Sequence, residues 1–363
     1  MKIQAAVVSE QAGAIQHTEA ELDEPKTGEV RVKIAAAGIC HTDLGVQQQE
    51  IPTPLPIALG HEGAGVVEKV GDGVQDVAPG DHVVITFSHC GTCRNCREGH
   101  PGACENFNAL NFGGTMNDGT RRLHSGDSEV SSLFGQGSLA TYAVTPVNNV
   151  VKVSRDVDIR LLGPLACGVQ TGAGTVLSRL NVGVGDTIVV FGCGGVGMSA
   201  VMAAHLAGAL QVIAVDVNEE RLETAKELGA THTINGKNED VVEKVKEWTN
   251  GGADYALEST GVAALAKQAM DVLRYKGESA VVGAGADTEF HVHQNFIVPN
   301  ATMSGVVEGD VVPKLFIPML VEYYKQGKFP FDKLVTMYPF EELEQALEDM
   351  KAGKTIKPVI TFE

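Results

Sequence analysis

Residues 187–197 read TIVVFGCGGVG. Thr187–Phe191 is a short run of β-branched and aromatic residues, the composition of a buried strand. It runs directly into Gly192-Cys193-Gly194-Gly195-Val196-Gly197, which matches G-x-G-x-x-G. In a chain with 42 glycines such a hexapeptide says little by itself, and it could be a turn that merely joins a strand to a helix. Its context says more. The strand precedes it and a helical stretch follows, so the first glycine permits a tight turn, the second lets backbone approach a pyrophosphate, and the third packs helix on strand. A helix N-terminus then faces the anion. Gln211–Val215 reads as the next strand and is followed at once by Asp216, nineteen residues beyond Gly197. A carboxylate there accepts hydrogen bonds from both hydroxyls of an adenosine ribose and repels a 2′-phosphate, which favours NAD over NADP.

From about residue 170 the same texture persists. Apolar strands at 187–191, 211–215, 255–258 and 279–282 alternate with helical stretches at 219–228 and 240–248. Alternation of this kind predicts a parallel sheet covered on both faces. Residues 188–215 contain no Lys, Arg, Asp or Glu and are long enough to span a bilayer, but the glycines interrupt the run and make it a buried β-α-β unit. The first 150 residues differ. They are rich in Val, Gly and Pro, with short alternating segments at 29–35, 63–70 and 82–86 that predict a mostly antiparallel β domain. Beyond residue 308 a helix over 314–324, a second near 340–350 and a strand over 358–362 are expected to return to that first domain.

The chain has 363 residues, enough for two cores. Its formal charge of −18 and the lack of a Lys/Arg cluster argue against nucleic acid and anionic lipid as partners. The N-terminal stretch MKIQAAVVSE has no apolar core of signal-peptide length, so the expected location is the cytoplasm. In that setting seven cysteines favour metal over disulfides. Cys90, Cys93, Cys96 and Cys104 fall within fifteen positions, separated by turn-forming residues such as Gly91, Gly99 and Pro101. Four thiolates close a tetrahedral zinc shell and leave no position for a substrate, which makes this a structural site. The plainer alternative, four unligated thiols in one loop, would be prone to oxidation. A catalytic zinc needs three protein ligands and an open position. Cys40, His61 and Cys167 are candidates, although spacing alone leaves each open to an ordinary reading as a small buried hydrophobe or a hydrogen-bonded histidine.

The Cys40-His41-Thr42-Asp43 element, the run GHEGAGVVE at 60–68, the cysteine quartet, GPLACG at 163–168 and the glycine fingerprint occur in one order. In that order they resemble the zinc-containing medium-chain alcohol dehydrogenases over essentially the whole chain. Segments 163–174, 305–309 and 327–334 are most similar to the bacterial aryl-alcohol (benzyl alcohol) dehydrogenases and their geraniol-oxidising relatives. The resemblance implies an α/β protein with a GroES-like, mostly antiparallel catalytic domain (1–168 and 309–363) and a Rossmann doubly wound domain (169–308). It implies two zincs per chain, NAD, a small alcohol or aldehyde as substrate, and a homodimer or homotetramer. Cys40, His61 and Cys167 would bind the catalytic zinc, with Glu62 nearby as a transient ligand. Asp43 would hydrogen-bond the far nitrogen of His61, and Thr42 would take the proton of the alcohol. His41 and Lys357 resemble contacts to the cofactor pyrophosphate, and Arg221 would lie near the adenosine ribose. The implied reaction is reversible oxidation of a primary alcohol, aromatic or allylic by preference. In it zinc stabilises the alkoxide and hydride leaves for the nicotinamide, in a cleft between domains that excludes water.

One position departs from the family pattern. Many members end the proton relay with a histidine five residues after the first zinc cysteine, and here that residue is Gly45. The terminal base is therefore unassigned. Phe87 and Ile51 are candidates for the substrate wall by position. Three alternatives share parts of this pattern. A glutathione-dependent formaldehyde dehydrogenase would need cationic residues for an anionic adduct, and none stand out. A non-enzymatic dinucleotide-binding protein would not need Cys40, His61 and Cys167 together with Thr42 and Asp43. A zinc-ribbon nucleic-acid binder conflicts with the acidic charge.

Overall fold

The computed structural model describes residues 1–285 and 287–362. They form two compact units: Met1–Cys167 with Val312–Lys325 and Asp332–Glu363, and Gly168–Val311 with Gln326–Phe331. The sequence division gave Gly168 and residues 309–311 and 326–331 to the first domain. They cluster instead with the second unit, and the segment 326–331 carries the fully buried Phe329 and Phe331.

In the first unit, strands Lys2–Val8, Gln16–Leu22, Leu123–Ser125, Ser128–Ser132 and Ile57–Ala58 close a barrel. A second, seven-stranded sheet runs Val150–Lys152, His82–Ile85, Glu62–Val70, Glu29–Gly38, Lys357–Thr361, Val335–Pro339, with Tyr142–Pro146 also paired to Glu29–Gly38. Pairing is antiparallel except where Ile57–Ala58 meets Ser128–Ser132 and where Val335–Pro339 meets Lys357–Thr361. The C-terminal strand is thus part of the first unit's sheet, with Val359 opposite Gly38. Alternation explains the core. Val30, Val32, Ile34, Val67, Val83 and Ile85 point inward and pack with Leu59, Phe87 and Ile360.

The second unit holds a wholly parallel sheet in the order His232–Asn235, Gln211–Asp216, Thr187–Phe191, Ala253–Glu258, Leu273–Val281, Thr302–Gly305. Numbered along the chain this is 3-2-1-4-5-6, the doubly wound order that binds a ligand where the strand order reverses. All five residues of Thr187–Phe191 are buried, as a central parallel strand requires. The helices Glu219–Glu227 and Val241–Trp248 start on side-chain caps. Asn218 accepts from the N–H groups of Glu220 and Arg221, and Asp240 from that of Glu243. Among the described residues no helix is long and apolar enough to cross a membrane.

Candidate active site

The helix His41–Gln48 begins at Cys40, and its third residue organises the site. Asp43 is 1% exposed. One carboxylate oxygen accepts from the Cys40 N–H at 3.0 Å, in the manner of a capping box. The other lies 3.0 Å from the Gly60 nitrogen and 3.3 Å from Nδ1 of His61. Gly60 can serve here because its φ is +98° and a side chain would strike the Leu139 nitrogen. With Nδ1 held by Asp43, Nε2 of His61 is buried with no hydrogen-bond partner among the described residues. A buried polar atom left in that state is costly unless something fills the gap. Cys40, His61, Glu62 and Cys167 each offer a ligand atom, and the four atoms lie within 4.8 Å of one another. Two thiolates, one imidazole aimed away from its carboxylate partner and a spare acid form a donor set that suits zinc. The neighbouring Cys167 thiol and the His61 ring hold the Cys40 thiol well below its ordinary range, against burial. Burial works downward on His61, yet the Asp43 carboxylate raises it well above the usual imidazole value.

The surrounding shell is firm. Gln136, 1% exposed, donates its amide N–H groups to the carbonyls of His61, Ile85 and Thr86 at 3.1–3.2 Å. The Phe134 ring lies 4.8 Å from the His61 ring, and Phe134 has a φ of +55°, a strained conformation for a bulky residue. Sequence reasoning missed both. The spacing of Gly135 and Gly137 around Gln136 was the available signal, since both have positive φ and let the chain turn sharply beside the site. The Thr42 hydroxyl is half-buried, 3.8 Å from the Cys40 sulfur, while His41 is exposed. At Gly45 an added Cβ would meet Cδ1 of Ile51 at 3.1 Å, so Ile51 lies over the position where the relay histidine would project. Phe87 is fully buried in the core against Phe107. Lys357 is buried as well. Its ammonium lies 2.8 and 2.9 Å from the two Glu62 oxygens and 3.1 Å from the Ile39 carbonyl, so a phosphate contact would be made in exchange for one of these. Burial pushes the Glu62 carboxyl up to about 7 against the pull of Lys357.

The four remaining clustered cysteines bring their sulfurs within 4.8 Å of one another. Sulfurs about 2.3 Å from one tetrahedral zinc stand roughly 3.8 Å apart, and Cys90 Sγ is 3.9 Å from Cys96 Sγ. Backbone N–H groups already point at these sulfurs. Cys90 Sγ accepts from Thr92 and Cys93, and Cys104 Sγ from Cys90. Burial works against it, but the Thr92 hydroxyl and those N–H groups hold the Cys90 thiol at about 5, whereas burial pushes Cys96 up to about 12. The Asn95 amide donates to the Ala103 carbonyl at 2.7 Å and ties the loop shut.

In the second unit, Gly192 has φ +89°, and a Cβ there would press on Thr260 and Ser259. A Cβ on Gly197 would collide with the Gly192 carbonyl, while the space around Gly194, at the start of the helix Gly195–Ala207, is open. Backbone can therefore be approached at Gly194, and Val196 lies in the helix's first turn. Asp216 accepts from the Cys193 N–H at 2.7 Å and from those of Val217 and Asn218, which fixes its carboxylate beside the glycine turn. Nε of Arg221 is buried with no hydrogen-bond partner among the described residues. Glu258, fully buried at the end of the neighbouring strand, accepts from the N–H groups of Thr260 and Gly261 and was not foreseen from sequence.

Comparison with known proteins bears on the family. Residues 26–155 match the alcohol dehydrogenase GroES-like domain, and residues 195–322 match the zinc-binding dehydrogenase family. A geraniol dehydrogenase of Castellaniella defragrans is 41% identical over 99% of this chain and 97% of its own length. The crystal structure of a benzyl alcohol dehydrogenase from Acinetobacter calcoaceticus is 46% identical, with a TM-score of 0.96 and full coverage of both chains. An alcohol dehydrogenase zinc-binding domain protein from Burkholderia ambifaria is 47% identical, with a TM-score of 0.97 over 100% of this chain and 99% of that one. Fold, site geometry and full-length likeness together make this chain a member of the zinc-binding, medium-chain alcohol dehydrogenase family.

Proposed function

We propose that the protein oxidises a primary alcohol, aromatic or allylic by preference, to its aldehyde, with NAD as the hydride acceptor and two zinc ions per chain. The observation that carries this reading is the buried, unpartnered Nε2 of His61 set among the Cys40 and Cys167 sulfurs. Cys40, His61 and Cys167 would hold the catalytic zinc, and Cys90, Cys93, Cys96 and Cys104 the structural one. The catalytic ion supplies Lewis-acid polarisation of the substrate oxygen. Asp43 keeps the His61 ring in one tautomer and orientation, because its carboxylate accepts from Nδ1 and leaves Nε2 as the donor atom. The Thr42 hydroxyl, one residue from Asp43 on the same helix, receives the alcohol proton. With Ile51 over Gly45, the proton leaves through water or a group other than a histidine at that position.

The carboxylate of Asp216 and the Arg221 side chain suit the two ribose hydroxyls of NAD, and the helix N-terminus at Gly194–Gly197 suits its pyrophosphate. The names of the relatives support the substrate class, since one is a geraniol and another a benzyl alcohol dehydrogenase. We further propose a homodimer or homotetramer in the cytoplasm; what supports the oligomer is that the strand Thr302–Gly305 ends its sheet, with no strand on its outer side among the described residues. The test is NADH formation with benzyl alcohol, cinnamyl alcohol, geraniol, ethanol, hexanol and formaldehyde with glutathione, each with NAD and with NADP. Turnover of the aromatic or allylic members with NAD is expected. Turnover confined to formaldehyde with glutathione would contradict the substrate class.

A further inference from the structure

His61 and Cys167 come from distant parts of the chain, so something besides a metal has to set their separation if the site is to be ready for one. A line of buried polar groups runs between them. Gln136, framed by the positive-φ residues Gly135 and Gly137, turns its amide into the core. The two N–H groups of that amide are shared among three carbonyls, those of His61 and Thr86 at 3.1 Å and that of Ile85 at 3.2 Å. Its oxygen accepts from the Gly63 N–H at 3.4 Å. Gly63 leaves room for this, because a Cβ there would meet the Gln136 oxygen at 3.3 Å and Cβ of Ser138 at 2.6 Å. Thr86, fully buried, continues the line: its hydroxyl donates to the Ala166 carbonyl at 2.7 Å, one residue before Cys167. One amide and one hydroxyl thus join the backbone of His61 to the backbone beside Cys167.

Neither Gln136 nor Thr86 belongs to the donor cluster, so both can act on a metal only through His61 and Cys167. We propose that Gln136 and Thr86 are positioning residues that work as one strap, setting the distance between the His61 and Cys167 ligands to fit an ion of zinc's size before any ion binds. The proposal rests on the reading that Cys40, His61 and Cys167 hold the metal. A buried network whose members are bonded to one another is rigid. Two of the three ligands are then already in place, and less order has to be imposed when the metal binds. An apolar side chain at either position cuts the strap and lets the two ligands drift. A preset spacing also discriminates by size, because the larger cadmium ion has to stretch it and zinc does not.

The test withdraws zinc from the full-length protein with a graded chelator and repeats the competition after exchange of zinc for cadmium. Cys167→Ala identifies the share of each signal that belongs to the cysteine quartet, which serves as the internal reference. Thr86→Val removes the hydroxyl at nearly constant shape, and Gln136→Met removes the amide at nearly constant length. Each is expected to weaken zinc at the three-ligand site about 10–100-fold, the range for a lost partner to a metal ligand, with the quartet unchanged. Because either change cuts the same strap, the double variant should be no weaker than the worse single one. Cadmium affinity should fall less than zinc affinity, a shift in selectivity that general loosening of the fold would not produce. Thr86→Ser keeps the hydroxyl and should behave as the parent. Should Gln136→Met not fold, the contrast between Thr86→Val and Thr86→Ser in both metals still decides. A folded Thr86→Val protein with the parent's zinc affinity, losses that add in the double variant, or equal losses for the two metals would overturn the proposal. A parent that holds metal at the quartet alone would instead overturn the functional reading on which it rests.

Discussion

The two cysteine-bearing sites solve the same problem of gathering metal donors in opposite ways. The quartet comes from residues 90–104, and its sulfurs are supported by nearby backbone N–H groups, two glycines with positive φ and the Asn95–Ala103 clip. The other site draws Cys40, His61 and Cys167 from across the first unit. Its support is side-chain carboxylate and amide: Asp43 on His61, Gln136 on the strands beside it, Lys357 on Glu62. A contiguous loop can wrap an ion completely and so becomes inert. A site assembled from three distant places can stop at three ligands and keep a position for chemistry. The difference teaches that ligand count and the origin of the ligands go together: a contiguous loop can supply a closed set of four, and residues gathered from distant strands and helices can leave one position open.

This contrast predicts a ranked series of effects. Cys167→Ala should have the largest, removing one zinc per chain and lowering kcat/KM by about a thousandfold, the scale of several kcal/mol of lost Lewis-acid stabilisation. Thermal stability should change far less, because the first unit's core does not include that thiol. Cys104→Ser should reverse the pattern. It should release the other zinc and lower the melting temperature by several degrees or more, since metal binding by such a loop is folding free energy. Equal loss of activity and stability in both variants would erase the distinction.

Asp43→Asn comes next. An amide cannot replace the carboxylate that serves the Cys40 and Gly60 N–H groups and His61 Nδ1 together. Zinc affinity or kcat/KM should fall about 10–100-fold, measured by chelator competition and steady-state kinetics. Asn95→Ala should be the smallest. Loss of one hydrogen bond closing the quartet loop should cost about 1 kcal/mol in denaturant unfolding with turnover unchanged. A change in turnover there would mean that the structural loop reaches the chemistry.

The sequence made some of these features plain and hid others for physical reasons. The glycine fingerprint and the quartet are legible because their residues are neighbours in the chain, and backbone demands such as φ +89° at Gly192 leave a local trace. The parallel sheet is legible because a strand buried on both faces, such as Thr187–Phe191, must be almost wholly apolar. The clamp on Glu62 is not. Lys357 is 295 residues away, and only the pairing of the C-terminal strand with Glu29–Gly38 brings them together. The barrel closes through Ile57–Ala58, a two-residue strand too short to show a period of two. Gln136 reads as an ordinary loop amide until its buried partners are seen.

The most direct measurement of the central claim is native mass spectrometry of the zinc content per chain, in the parent and in Cys167→Ala, with alcohol-dependent NADH formation followed on the same preparations. The account predicts two zincs and turnover in the parent, and one zinc without turnover in the variant. A parent with a single zinc, or a Cys167→Ala protein that keeps both zincs and its activity, would contradict it.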